Sequence, residues 1–389
     1  MVIKNARIIT CDNGNIIENG YVAVSDGKIT ALAEGSYNGT DSEVVDAEGA
    51  LLFPGFIDAH CHIGMWEEGL ASEGDDGNEE TDPCTPQLRS LDAINPMDRA
   101  FEEALAIGIT TVVTGPGSAN PIAGLITAMK TKGHVVDSMV VRFPCAMKFA
   151  MGENPKNTYG EKAQQPVTRM AVTSIIREQL YKAKRYAQDM DKAAADTEGE
   201  TDPPEYDIKC EALLPVLRRE IKAHFHAHRA DDICTALRII KEFSLDGVII
   251  HGTEGYLVAE ALQEANVPVV CGPIISTRTK PELRGLTREN VMLLQQAGVK
   301  TSINTDAPEL PIDMLLTSVA IATLAGGKQL PMEQAIEAVT CNAAEAAGIF
   351  DRVGSITVGK DADMVLFDQN PMGLLVKPKR VMISGKFVQ

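Results

Sequence analysis

Two histidines one residue apart close an apolar run, Phe53-Pro54-Gly55-Phe56-Ile57-Asp58-Ala59-His60-Cys61-His62. Alternate side chains of an extended strand share a face, so His60 and His62 can converge on one ion while Cys61 points away to be packed. Neutral imidazole nitrogens ligate zinc and its neighbours well, and a strand end holds them rigidly. Two histidines satisfied at a strand end would look the same in isolation. The other polar residues of the chain decide between these readings.

The chain contains seven histidines: His60, His62, His134, His224, His226, His228 and His251. Most stand at or beside the C-terminal ends of predicted strands, where barrel enzymes place their chemistry. In Ala223-His224-Phe225-His226-Ala227-His228-Arg229, positions 224, 226 and 228 share one face if the run stays extended, and one of them is expected to reach a metal from a given height. His251 closes Val248-Ile249-Ile250-His251-Gly252, and Asp306 follows Ser302-Ile303-Asn304-Thr305. His134, in Lys132-Gly133-His134, reads as an exposed bystander. Imidazoles and a carboxylate gathered at neighbouring strand ends are costly to desolvate unless a cation sits among them. A divalent metal there would lower the pKa of a bound water to about 7. Asp306 is then the group to ligate the ion, accept the water's proton and return it to a leaving group.

The elements that position these residues alternate between apolar strand and amphipathic helix, the pattern of a parallel α/β unit. Strand-like runs end near His60, at 109–114, near 140–143, at 222–226, 247–251, 267–271 and 299–305, and an eighth is expected within 139–151. Helices are expected at 97–107, 168–190, 231–242, 258–265, 288–296, 314–325 and 332–347, the last with Pro331 placed for a helix start. A closed eight-stranded barrel fits better than an open sheet, because no Gly-x-Gly-x-x-Gly follows the first strand. Both ends of the chain read as short alternating strands and predict one small sandwich built from 1–53 and 353–389, flanking a barrel of 54–352. Residues 67–82 are acidic and follow the first barrel strand directly, as a lid, a specificity loop or a solvated loop would. Residues 189–207 read as an exposed connection between helices.

Composition narrows the function. With 36 basic and 54 acidic side chains the net charge is −18, which argues against a nucleic-acid groove. No run approaches a membrane span, and the N-terminus lacks the pattern of a signal peptide, so the cytoplasm is the expected location. The eight cysteines are scattered without a Cys-x-x-Cys pair, which speaks against a disulfide framework or a thiolate zinc site.

The chain resembles the amidohydrolase superfamily of metal-dependent hydrolases, most closely its imidazolonepropionase-like branch. The resemblance spans essentially the full length. It rests on residues 54–62, Gly108-Ile109-Thr110-Thr111-Val112, His226-Ala227-His228, His251-Gly252, Thr305-Asp306 and the tail Gly354-Ser355-Ile356-Thr357-Val358-Gly359-Lys360-Asp361-Ala362-Asp363. It implies a distorted TIM (β/α)8 barrel beside a small β-sandwich domain formed from both termini. It also implies His60, His62, His226, His251 and Asp306 as metal ligands, with one or two divalent ions, zinc first and manganese or iron as alternatives. Members with two ions bridge them with a glutamate or a carboxylated lysine. Here Glu153 is preferred over its rival Lys148, which lies on an apolar strand where desolvation favours the neutral amine.

The implied chemistry is hydrolysis of an amide C–N bond in a dipeptide, an N-acyl amino acid or a cyclic amide. His228 or His224 is expected to polarise the carbonyl or to pack behind the ligands. Arg229, Arg278 and Arg169 are expected as carboxylate partners, with Arg229 favoured and Tyr256 a weaker contact. Deamination of a small heterocycle is the alternative, ranked second because the run 226–229 lacks the His-x-x-Glu acid of such deaminases. A non-catalytic relative would be expected to have lost ligands that this chain keeps. A homo-oligomer is expected by analogy.

Overall fold

The alternation of the first residues folds as antiparallel strands: Val2–Ile9 (β1) pairs with Ile16–Ser25 (β2), which pairs with Lys28–Glu34 (β3). Their turns place Asn13 and Gly14 at φ 52° and 70°, and Asp26 and Gly27 at 50° and 76°, the residue types that tolerate the left-handed region. Val44–Asp46 (β4) and Leu51–Pro54 (β5) both run parallel to β1. The computed structural model describes residues 1–40, 43–67, 69–198, 200–325, 328–374 and 376–389; Glu68 of the acidic loop lies outside them.

A second sheet follows in chain order: Phe56–Cys61 (β6), Ile109–Thr114 (β7), Ile122–Lys130 (β8), Val140–Ala150 (β9), Lys222–Ala227 (β10), Gly247–His251 (β11), Val269–Cys271 (β12) and Thr301–Ile303 (β13), each beside the next. Neighbours are parallel except at β8, which is antiparallel to both β7 and β9. This corrects the expectation for the eighth strand. Residues 140–150 form one long strand, and the additional strand is Ile122–Lys130, which the sequence reading passed over. Every residue of β8 is buried, so it carries no alternation to mark it.

The ring is nearly closed between β13 and β6. Asp306 N donates to His60 O at 3.2 Å and His62 N to Ala307 O at 2.7 Å. Closure is secured by Asp58, fully buried on β6, whose carboxylate accepts from Thr305 Oγ1 at 2.5 Å, from Thr305 N at 3.2 Å and from His60 N at 3.2 Å. One carboxylate thus locks the first strand to the segment after the last, and sets Asp306 opposite the two histidines.

Helices cover the barrel much as their apolar spacing predicts. The longest, Arg169–Ala195, is capped by Thr168 Oγ1 accepting from Ala171 N. It runs further than expected, and a further helix, Ile208–Leu217, capped by Asp207, occupies the region beyond the connection. The expected helix over 332–347 is broken into Met332–Ala335, a 3-10 turn at Ile336–Val339 and Cys341–Ala346. After the small hairpin Leu324–Ala325 (β14) and Lys328–Gln329 (β15), the chain returns as Met364–Phe367 (β16), Arg380–Ile383 (β17) and Lys386–Phe387 (β18). β16 pairs antiparallel with β5, so both ends of the chain share one eight-stranded sheet. That sheet has its own apolar core, including Ile3, Ile8, Val22, Leu52 and Met364. A buried ionic cluster fixes it to the barrel: Lys130 of β8 meets Asp361 at 3.0 Å and also Asp363, while Arg352 and Lys28 hold the same Asp361. Among the described residues no helix is long and apolar enough to cross a membrane.

Candidate metal centre

Period-2 geometry puts Asp58, His60 and His62 on one face of β6 and its extension. His62 Nδ1 meets the Gly115 carbonyl at 2.7 Å, and His251 Nδ1 meets the Gly272 carbonyl at 2.8 Å. A carbonyl only accepts, so in both rings Nδ1 carries the proton and Nε2 presents a lone pair. His226 Nδ1 lies 2.8 Å from Ser118 Oγ, and His228 Nδ1 lies 2.7 Å from Thr253 Oγ1. The rings crowd together: centroids are 4.9 Å apart for His60 and His62, 4.5 Å for His226 and His251, and 5.7 Å for His60 and His251. Burial drives His60, His226 and His228 well below the ordinary histidine range and His251 down to about 4, so these rings are neutral at pH 7.

Asp306 faces this group. Its Oδ1 lies 3.3 Å from His62 Nε2 and 3.6 Å from His60 Nε2. Burial alone would raise its carboxyl, but His251, His62 and Lys148 hold it well below the usual carboxylate range. His251 and Asp306 both sit at positive φ, 73° and 59°, a conformation that costs about 1–3 kcal/mol each and is retained where surrounding structure over-determines it. A carboxylate drawn in among these buried ring nitrogens is costly to desolvate, and a bound cation would offset that cost. His226 Nε2 and Asp306 Oδ1 are buried without a hydrogen bond, and two groups of ligand atoms, His226/His228/His251 and His60/His251/Asp306, each lie within 4.8 Å of one another. The donor set of imidazoles and a carboxylate therefore fits a divalent ion of the zinc type.

The expected order of Glu153 and Lys148 is reversed by their placement. Glu153 opens the helix Glu153–Gly160 and turns Oε2 onto the Glu282 amide at 3.1 Å, away from the gathered ligand atoms. Lys148, fully buried on β9, brings Nζ to 3.0 Å from His60 Nε2, and burial lowers its ammonium to about 8. Strand geometry aims the lysine inward, whereas the helix start carries the glutamate past the site.

Other expected contacts also lie elsewhere. His224 Nε2 is bound to the Ala346 carbonyl at 3.0 Å, one layer deeper in the barrel. Arg229 forms a bidentate pair with Asp231, and Arg169 binds Asp232. Arg278 donates to the carbonyls of Arg284 and Leu286, and Tyr256 Oη to that of Gly285 at 3.2 Å. Arg278 and Tyr256 thus tie down the loop after β12 and do not line the cleft. His134 is on the exterior beside Met97.

A cleft of about 600 Å³ opens over the histidines. Lys280 is the only lysine or arginine among its described lining residues. One wall is the acidic loop, which is stitched to the barrel mouth. Gly117 N donates to Gly77 O at 2.8 Å, Asn120 Nδ2 to Glu79 O at 2.7 Å, and Lys162 pairs with Glu80 at 2.7 Å. Trp66 packs edge-on against His62 with centroids 4.7 Å apart, and its indole N–H donates to Asp75. A Cβ at Gly77 would fall 2.1 Å from the indole, so the loop closes over the ring only because that position is glycine.

Sequence reasoning passed over Glu282, Lys280, Trp66, Thr253 and Ser118. For the two charged residues no signal existed, since Lys280-Pro281-Glu282 reads as an exposed turn. Asp58 could have been found: it is the one charge in a continuous apolar strand, in phase with His60 and His62.

Residues 51–388 match the model of the amidohydrolase family. The chain is 42% identical to an amidohydrolase from Thermotoga maritima MSB8, a crystal structure that superposes with a TM-score of 0.92 over 100% of this chain and 99% of that one. It is 29% identical over 394 residues to the amidohydrolase tasK of Hapsidospora irregularis, covering 95% of this chain but only 39% of that relative's length. It is 25% identical to an imidazolonepropionase of Mesorhizobium japonicum, covering 94% of this chain and 91% of that one.

Proposed function

The chain belongs to the amidohydrolase family, and on that premise we propose that it is a metal-dependent hydrolase of a small amide: a dipeptide, an N-acyl amino acid or a cyclic amide. The observation that carries this reading is the convergence of His60, His62, His226 and His251 with Asp306 and Lys148 at one end of the barrel. These residues would hold the divalent metal, with Lys148, once its amine is carboxylated, rather than Glu153 as the sixth ligand. A divalent ion held there supplies an acidified water and polarises a carbonyl.

The protein's own residues do the rest. Asp306, fixed by the closure at Asp58 and Thr305, is placed to accept the proton of the attacking water and to pass it to the departing nitrogen. The carbonyls of Gly115 and Gly272 hold the tautomers of His62 and His251, and Ser118 orients the His226 ring. Trp66 and the acidic loop wall the cleft and restrict access of bulk water. Lys280 is the one cation among the described lining residues of the cleft, and since it is paired with Glu282 at 2.7 Å a substrate carboxylate would have to draw it from that pair.

The test is a screen of dipeptides, N-acyl amino acids, lactams and amino-heterocycles against the purified protein, read as released amine or ammonia. Amine release from a carboxylate-bearing amide is expected. Turnover confined to amino-heterocycles, with ammonia as product, would replace this reading with deamination.

A further inference from the structure

Tyr159, near the end of the helix Glu153–Gly160, is fully buried, and its hydroxyl donates to Asn120 Oδ1 at 2.5 Å. Burial and the carboxylates of Asp82, Glu80 and Glu79 push the pKa of that hydroxyl up, so it stays a donor across the physiological range. Asn120 is 2% exposed, and its amide hydrogens go to Thr85 Oγ1 at 2.9 Å and to the Glu79 carbonyl at 2.7 Å. Tyr159 therefore fixes which way round this amide lies. Turned over, Asn120 would set its oxygen against the Glu79 carbonyl, acceptor to acceptor.

The segment that the amide grips has little else to hold it. Of residues 75–80 only Gly77 is buried. Its other fastenings to the barrel among the described residues are Gly117 N to Gly77 O at 2.8 Å, Ala119 N to Asn78 Oδ1 at 3.2 Å, and Lys162 to Glu80 at 2.7 Å. The segment is also a partition. On one side Asn78 and Glu80 line the cleft beside Trp66. On the other, residues 75–79 line a second cavity of about 280 Å³, shared with Leu88, Arg89 and Ser90. A wall with space behind it and few buried apolar contacts opens with little free energy.

We propose that residues 75–80 are a gate that swings back into the second cavity to admit substrate, and that Tyr159 is the positioning residue that holds it shut, acting through Asn120. Lys162 is the weaker hold, because salt screens its exposed pair with Glu80 and leaves the buried bond untouched. The proposal rests on the hydrolytic reading only for what passes the gate.

Trp66 is the chain's single tryptophan and stands at the edge of the gate, its N–H donating to Asp75, so its emission reports the gate without substrate. In the full-length protein Tyr159→Phe, which keeps the ring and removes the hydroxyl, should shift that emission to the red and make it more open to quenching by acrylamide; thermal melting checks the fold. KM for the amide found in the screen should rise about fivefold, the worth of one hydrogen bond, with kcat changed far less. Asn120→Asp keeps the acceptor for the phenol and removes the donor to Glu79; it should behave alike, and decides the matter if Tyr159→Phe fails to fold. In the wild type, the amides of Gly117 and Ala119 should exchange with deuterium together and well before those inside β8. A folded variant with unchanged emission or unchanged KM, or exchange at Gly117 and Ala119 only through global unfolding, overturns the proposal. Emission and exchange as expected in a protein that hydrolyses no amide would instead overturn the hydrolytic reading.

Discussion

Lys148 Nζ lies 3.0 Å from His60 Nε2, both side chains fully buried within the barrel. Lys148 stands on the inward face of β9, and among the described contacts of His60 it is the only lysine or arginine. Replacing it with methionine keeps the volume and removes the nitrogen. Lys148→Met is expected to lower affinity for divalent ions by about 10–100-fold, measured by competition with a zinc chelator. Affinity equal to wild type would remove Lys148 from the centre.

Asp58 predicts a defect of a different kind. Its carboxylate satisfies Thr305 Oγ1 and the amides of Thr305 and His60, all buried. Asp58→Ala leaves these donors unpaired at about 1–3 kcal/mol for each such group, so a loss of at least about 3 kcal/mol in stability is expected from denaturant unfolding. Ion binding should fall with it, because the same contacts set Asp306 opposite His60.

Trp66 separates binding from chemistry. It covers His62 edge-on and anchors the acidic loop, but it reaches no proton that the reaction moves. Trp66→Ala is expected to raise KM about tenfold with a smaller change in kcat, since packing that binds ground and transition states alike acts on KM. A fall confined to kcat would place the indole in the chemical step instead.

These predictions draw unequally on what the sequence could tell. The apolar strand ending in His60-Cys61-His62, the histidine run at 224–228 and the strand end at His251 were legible because each side chain sits on a regular element whose period fixes its direction. Asp306 was legible because it follows such a strand directly. The long strand Ile122–Lys130 was not, because complete burial erases alternation. Glu153 and Lys148 are five residues apart in sequence, and only the turn through Gly152, at φ 78°, decides which of them faces the histidines. Glu282 was beyond reach: its burial depends on the clasp with Glu153 across the barrel mouth, a contact between loops 129 positions apart. The arginines failed for a related reason. Arg229, Arg169 and Arg278 each found a local carboxylate or carbonyl first.

The ionic cluster joining sheet and barrel gives a pH dependence of stability. Burial would raise Asp361, but Arg352, Lys130 and Lys28 hold its carboxyl below the ordinary carboxylate range. A depressed folded-state value means that the contribution is fully present above the ordinary carboxylate pKa and is lost as pH falls through the folded one. Asp361→Asn should therefore cost about 3 kcal/mol near pH 7, where breaking a buried pair strands its partners, and distinctly less in strong acid. Urea unfolding at both pH values checks this; an equal cost at each would refute the role of charge.

The most direct test of metal-dependent hydrolysis uses the amide found in the substrate screen. Chelator-stripped protein should show no turnover above background, and activity should return in proportion to the ions bound at the site of His60, His62 and Asp306. Asp306→Asn should stay inactive at every ion concentration. Hydrolysis that persists at the wild-type rate in ion-free protein would contradict the account.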